Sequence, residues 1–252
     1  MLGKLIKYDL KAMGKTMVPL WITVIIIGLI YGIQTYFGFM APMFDEGMSG
    51  ILILVLFSIF LAIFVLNIIF VIQRFWNGLL KEEGYLMFTL PVSIRSLILS
   101  KSISSFLISL GSVITAGIVA SFMALGAFSY QEVKDFVNEI SSMIVINSEF
   151  IIDMILQMFI IILSIISGIY EAYAAMAIGH LSNKNRFVFS FVSYIVLSGI
   201  VGTIEGFIID ILDNMMLEDL VYSILMLVLT IVLIIVYHAI TEFILRKRLN
   251  LE

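Results

Sequence analysis

Few residues in this chain are of a kind that does chemistry, and they are widely spaced. There are two histidines, His180 and His238, and no cysteine. That excludes thiol nucleophiles, thiolate metal centres and disulfides. With two histidines and no His-Glu-x-x-His run, no metal site is expected either. Ser49, in Gly47-Met48-Ser49-Gly50, could act as a nucleophile if a histidine lay within hydrogen-bond reach. Gly14-Lys15-Thr16 has the end of a phosphate loop, but Asp9 stands where the first glycine is needed. Glu82 and Glu83 form an acidic pair, and Glu171 is an acid set inside a long apolar stretch.

The elements that must hold these residues follow from composition. Charged residues make up 13% and apolar residues 62% of 252, against about 25% charged in a soluble domain. Fourteen basic and 18 acidic side chains cannot cover a soluble surface of this size, so soluble, disordered and collagenous classes are excluded. Uncharged runs occupy 16–44, 47–73, 102–131, 154–170, 187–204 and 220–241. A span needs about 20 apolar residues, and only helices or closed barrels satisfy a backbone in lipid. The runs lack the two-residue alternation of barrel strands. An all-α integral membrane protein with six transmembrane helices is expected, near 17–39, 50–73, 101–127, 151–178, 187–208 and 220–243. The first run is longer than the core of a signal peptide and no small-residue cleavage site follows, so it reads as an uncleaved span. No repeat or linker interrupts 1–252, which reads as one transmembrane domain.

Six spans place both termini on one side. That side receives 1–16, 74–101, 179–186 and 244–252, which hold every basic residue of the chain except Lys134. The positive-inside rule makes this side cytoplasmic. Ser49 then lies at the outer end of span two, whereas His180 and His238 lie at inner ends. A ~30 Å core separates them, so no dyad forms. No enzymatic activity of the chain's own is expected.

Residues 1–16 form an amphipathic segment. Lys4, Lys7, Lys11 and Lys15 fall within an arc of about 80° at 100° per residue, opposite Leu2, Leu5, Ile6, Leu10 and Met13. This is the pattern of an elbow helix at the membrane surface, its lysines toward anionic headgroups. The inner loop 74–100 is also amphipathic. Lys81-Glu82-Glu83-Gly84 sets mixed charge beside a glycine, Pro91 ends a short apolar stretch, and Ser93 can cap a helix from Ile94. Tyr85, Phe88 and Leu90 beside the acids make a small knob for a cytosolic partner, or else an interfacial loop that tucks its aromatics into headgroups.

Glu82-Glu83-Gly84-Tyr85-Leu86, then Thr89-Leu90-Pro91-Val92-Ser93 and Leu97-Ile98-Leu99-Ser100-Lys101, resemble the membrane subunits of ABC exporters of the type-2 permease family. Those subunits share an elbow helix, six spans and cytoplasmic termini. Ile94 departs from the pattern, since many members place the basic residue directly after the serine. The resemblance implies a coupling helix over 79–90 seated in a separate cytosolic ABC ATPase subunit. Glu82, Glu83, Gly84, Tyr85, Phe88 and Pro91 would be its contact residues, and ATP and magnesium would bind on that partner, with no cofactor on this chain. It implies a dimer with a second permease copy or paralogue in a bacterial cytoplasmic membrane, and no nucleic-acid partner. The expected function is export of a lipid, peptide or drug-like amphipath by alternating access. The alternative is a secondary transporter or channel working without ATP, which would need coupling residues near the midplane.

Inside the bilayer, Asn67, Gln73 and Glu171 are the candidate pathway residues, with a structural hydrogen bond or ion pair as the other reading. An acid at mid-span costs roughly 2.5–3.5 kcal/mol on insertion scales. Small residues at helical spacing, Ser198-x-x-x-Gly202-x-x-x-Gly206 and Ser105, Ser109, Ser112, Ala116 and Ala120, suit close helix approach. Residues 205–219 read as an amphipathic outer segment, where the resembled family has a re-entrant hairpin.

Overall fold

A computed structural model describes residues 2–37, 46–81, 84, 89, 91–127, 130–146, 148–182, 185–214 and 219–247. Among these residues lie seven α-helices and one π-helical turn. They are α1 (Leu2–Phe37), α2 (Glu46–Phe75), the π-turn Trp76–Leu80, α3 (Ile94–Ala127), α4 (Tyr130–Ile146), α5 (Ser148–Gly179), α6 (Arg186–Asn214) and α7 (Asp219–Lys247). Six segments are long and apolar enough to cross a membrane: Leu2–Ile33, Phe57–Leu80, Ile94–Met123, Ile151–Gly179, Arg186–Leu212 and Leu220–Lys247. The chain is a multi-pass helical membrane protein.

The helices meet the demand that lipid makes on polar groups by returning hydroxyls to their own backbone. Thr23 donates to the Pro19 carbonyl at 2.9 Å, Thr115 to Gly111 at 2.8 Å and Thr241 to Tyr237 at 2.8 Å. Ser58, Ser104, Ser121 and Thr230 do the same one turn back.

Two boundaries differ from those expected, and one further helix was not expected. α1 is continuous from Leu2, with no break near residue 16. α6 continues through Glu205 to Asn214 without a break where a separate outer segment was expected to begin. Residues 215–218 lie outside the described residues. α4, with exposed Glu132, Lys134, Asp135 and Glu139, is a helix that apolar-run reasoning passes over, because its charged face disqualifies it as a span.

Packing divides the chain into two compact units, a division that no composition shift marks. One comprises Met1–Ile6, Val71–Phe106 and Asn147–Glu252, the other Lys7–Phe70 and Leu107–Ile146. In the first, α5 packs against α6 and α7. Its buried cluster includes Phe75, Leu79, Leu80, Leu97, Ile98, Tyr173 and Tyr237. Ser105 on α3 lies 2.9 Å from the Tyr173 hydroxyl on α5, and Ser102 bonds Tyr170 one turn away.

In the second unit α1 crosses α3 at Gly28 and Gly32. A Cβ on Gly28 would lie 2.6 Å from a Val119 methyl, and one on Gly32 would lie 2.5 Å from the Phe122 carbonyl oxygen. This is the small-xxx-small approach. Trp21 lies over Gly111 and its indole N–H donates to Ser112 at 3.1 Å. By contrast Gly199, Gly202 and Gly206 on α6 have nothing within 4 Å of a would-be Cβ among the described residues.

Candidate functional site

The loop that follows α2 is anchored at its start. α2 ends in the π-turn Trp76–Leu80, whose Leu79 and Leu80 are fully buried. Phe75 stacks on Tyr173 with ring centroids 4.2 Å apart and planes 19° apart. The buried Lys101 side chain runs past Gly78, where a Cβ would sit 2.9 Å from its Cε. Lys81 is extended and exposed. The Gly84 N–H then donates to the Lys81 carbonyl at 2.7 Å, closing a turn over the end of the π-turn. A Cβ on Gly84 would lie 2.5 Å from the Leu79 carbonyl oxygen, so only glycine fits.

Glu82, Glu83, Tyr85, Phe88 and Leu90 lie outside the described residues, so of the six expected contact residues only Gly84 and Pro91 are placed. Pro91 is exposed. Ser93 caps α3: its hydroxyl accepts from the Ser96 N–H at 3.3 Å and lies 2.9 Å from the Ser96 hydroxyl. Two residues on, Arg95 donates to Glu242 near the end of α7 at 2.7 Å.

A second anchor comes from the α5–α6 turn. His180 is buried, with Nε2 3.1 Å from the Leu80 carbonyl oxygen and 3.3 Å from Nη1 of Arg186. A neutral ring with the proton on Nε2 donates to Leu80. Burial first, and then the Arg186 charge, lower the His180 pKa and favour that neutral form. Trp76 meets His180 and Phe187 edge-on at 6.1 and 6.0 Å. The turn is tight: Gly179 lies against the Ser190 backbone, and Asn185 takes a left-handed φ of 53°, which asparagine tolerates.

Asn67, Gln73 and Glu171 are the three candidate pathway residues. Ser109 donates to the Asn67 amide oxygen at 3.1 Å. Gln73 is exposed. Glu171 on α5 accepts from Ser198 on α6 at 2.5 Å. Lys4, Lys7, Lys11 and Lys15 are all exposed. The opposite face of that segment packs on protein, with Met13 buried among Leu10, Met17 and Ile108 and Leu5 against the Phe75 cluster.

No family model matches the chain, and neither curated proteins nor solved structures give a match.

Sequence reasoning gave no role to Trp76 or Tyr237, weighed His180 only as a metal ligand or a partner for Ser49, and read Glu205 as the start of an outer segment. Glu205 was legible in principle: it follows Ser198 by seven residues, on the same helical face, in a run otherwise free of charge. His180 was not, because its partner is a backbone carbonyl 100 residues away.

Proposed function

We propose that this chain is the membrane permease subunit of an ATP-driven exporter of the type-2 ABC permease kind. It would lie in a bacterial cytoplasmic membrane with both termini inside, work as a dimer, and move an amphipathic substrate. A separate cytosolic ATPase would bind ATP and magnesium. One observation carries the reading: the base of the 82–90 segment is built into a rigid mount. Leu79 and Leu80 are buried on Phe75 and Tyr173, His180 bonds Leu80, and Gly84 closes the turn.

A partner docked on residues 82–90 would transmit force through such a mount. Displacement of 82–90 pulls the π-turn, hence α2 directly and α5 through the Phe75–Tyr173 stack. On its other side the segment runs into the capped start of α3, which Arg95 ties to α7. Two-state rearrangement of packed helices is how a soluble motor drives a membrane gate.

The test is the double change Glu83→Arg and Phe88→Ala. Reversing a charge and removing an aromatic anchor should abolish recovery of the ATPase with the permease, since truncating an interfacial hot spot costs about 2 kcal/mol or more. The measurement is co-purification in mild detergent at matched membrane levels, with ATP hydrolysis assayed on the recovered complex. Equal recovery of a hydrolysing partner would reject the coupling role of this loop.

A further inference from the structure

Of the seven described α-helices only α4 is not long and apolar enough to cross a membrane, yet it carries an apolar face. At 100° per residue Val133, Phe136, Val137 and Ile140 fall within an arc of about 100°. Glu132, Lys134, Asp135 and Glu139 occupy the other half of the helix and are exposed. Phe136 and Val137 are 62% and 53% exposed, close to the 63% of Phe64 and the 54% of Phe159 on the spans, whose surroundings are lipid. Ser141 lies at the edge of the apolar face and needs no water, because its hydroxyl donates to the Val137 carbonyl at 2.7 Å.

Connectivity decides which surface this face meets. Consecutive spans alternate in direction, so the end of one at Met123 and the start of the next at Ile151 lie at the same face of the membrane. α3 runs on only four residues past Met123, to Ala127, and α5 begins three residues before Ile151, at Ser148. Three Cα steps of about 3.8 Å join Ala127 to Tyr130, and two join Ile146 to Ser148. The two ends of α4 can therefore rise at most about 17 Å and 12 Å above the span ends. Its 17 residues are about 25 Å long, so the helix cannot stand upright on either end and must lie along the surface. Rolled toward the bilayer, it buries Phe136 and Val137 in the boundary between headgroups and acyl chains, about 5–10 Å deep, as amphipathic interfacial helices do. The polar half carries three acids and one lysine, which gives no net attraction to anionic headgroups. The apolar face alone must hold the helix, and zwitterionic lipid suits it.

We propose that α4 is an interfacial helix whose Val133, Phe136, Val137 and Ile140 face docks on the zwitterionic lipid surface, on the side where spans three and four are joined. The acids and the lysine of the other half face water. The docking requires only this chain and does not depend on whether an ATPase drives transport.

The sequence has no cysteine, so single cysteines can be introduced without removing any. Phe136→Cys, Val137→Cys, Asp135→Cys and Asn138→Cys are each made in the full chain, nitroxide-labelled and reconstituted in phosphatidylcholine nanodiscs. Power-saturation electron paramagnetic resonance compares collisions with oxygen, which concentrates in lipid, and with a neutral nickel chelate, which stays in water. Phe64→Cys on span two calibrates the lipid value. The oxygen-to-nickel ratio should be several-fold higher at positions 136 and 137 than at 135 and 138. Equal ratios on the two faces would overturn the proposal, because α4 would then be surrounded by water. Shielding of 136 and 137 from both reagents would overturn it in favour of a protein contact, a second copy of this chain included. Phe136→Glu, made in the chain labelled through Val137→Cys, should lower the ratio there several-fold, toward that of the polar face. An unchanged ratio would show that the links to α3 and α5, and not the apolar face, hold the helix at the surface, and would reject the docking.

Discussion

Gly84→Ala should loosen the inner loop without unfolding the protein. A Cβ there would lie 2.5 Å from the carbonyl oxygen and 2.7 Å from the carbonyl carbon of Leu79. Ordinary contact needs about 3.5–4.0 Å, so one side must retreat by roughly 1 Å. Leu79 cannot yield easily: it is fully buried in the cluster that holds Phe75 and Tyr173, and the next residue is held by His180. The turn at Gly84 must therefore move, stretching its 2.7 Å bond to Lys81. Overpacking of this kind costs about 1–3 kcal/mol and a lost hydrogen bond about 0.5–1.5 kcal/mol. Together these are about 1.5–4.5 kcal/mol of local stability, or roughly 10- to 2000-fold in the ratio of closed to open loop.

The assay is tryptic cleavage after Lys81, whose side chain is already exposed, with amide exchange at Gly84 followed in parallel. Both should accelerate in Gly84→Ala, while the global melting temperature falls only slightly. Gly117→Ala is the control, because nothing lies within 4 Å of its would-be Cβ and alanine is the better helix former by about 1 kcal/mol. Wild-type rates of cleavage and exchange in Gly84→Ala would refute the claim that Leu79 and Gly84 are locked together.

Three further outcomes are expected. Phe75→Ala should cost about 3–5 kcal/mol, as loss of a fully buried aromatic does, read as a lower thermal midpoint in detergent; Phe64→Ala, at an exposed position, should not. Gly32→Ala should destabilise the α1–α3 crossing, because the obstacle is the Phe122 backbone; thermal unfolding should detect about 1–3 kcal/mol. The His180 pKa is lowered, so just below its ordinary value of about 6.5 the unfolded chain binds more protons than the folded one. Stability should therefore be complete above that value and fall as pH drops through the lowered one. The pH dependence of the melting temperature should be shallower in His180→Gln over this window, and an identical slope would reject the buried neutral histidine.

How much of this was legible in the sequence depends on the range over which each feature is determined. Spans are local: twenty apolar residues form a helix in lipid whatever surrounds them, and the six expected runs correspond to six long apolar helices. The cap at Ser93 is local too, since three residues suffice to place its hydroxyl on the Ser96 N–H. Helix ends were less legible, because a helix does not stop where its hydropathy changes. α1 runs unbroken from Leu2 through the junction expected between elbow helix and first span, and α6 carries Glu205 and Asp210 on unbroken backbone. The non-local contacts were least legible. Gly28 and Gly32 stand four apart, as Gly202 and Gly206 do, yet among the described residues only the first pair meets a neighbouring helix. Spacing cannot say which small-residue stripe finds a partner. Glu171 shows the same limit from the other side. Its cost in the bilayer marks it as unusual, but its partner Ser198 stands 27 residues away on the next helix, and only the packing of α5 against α6 brings the two together.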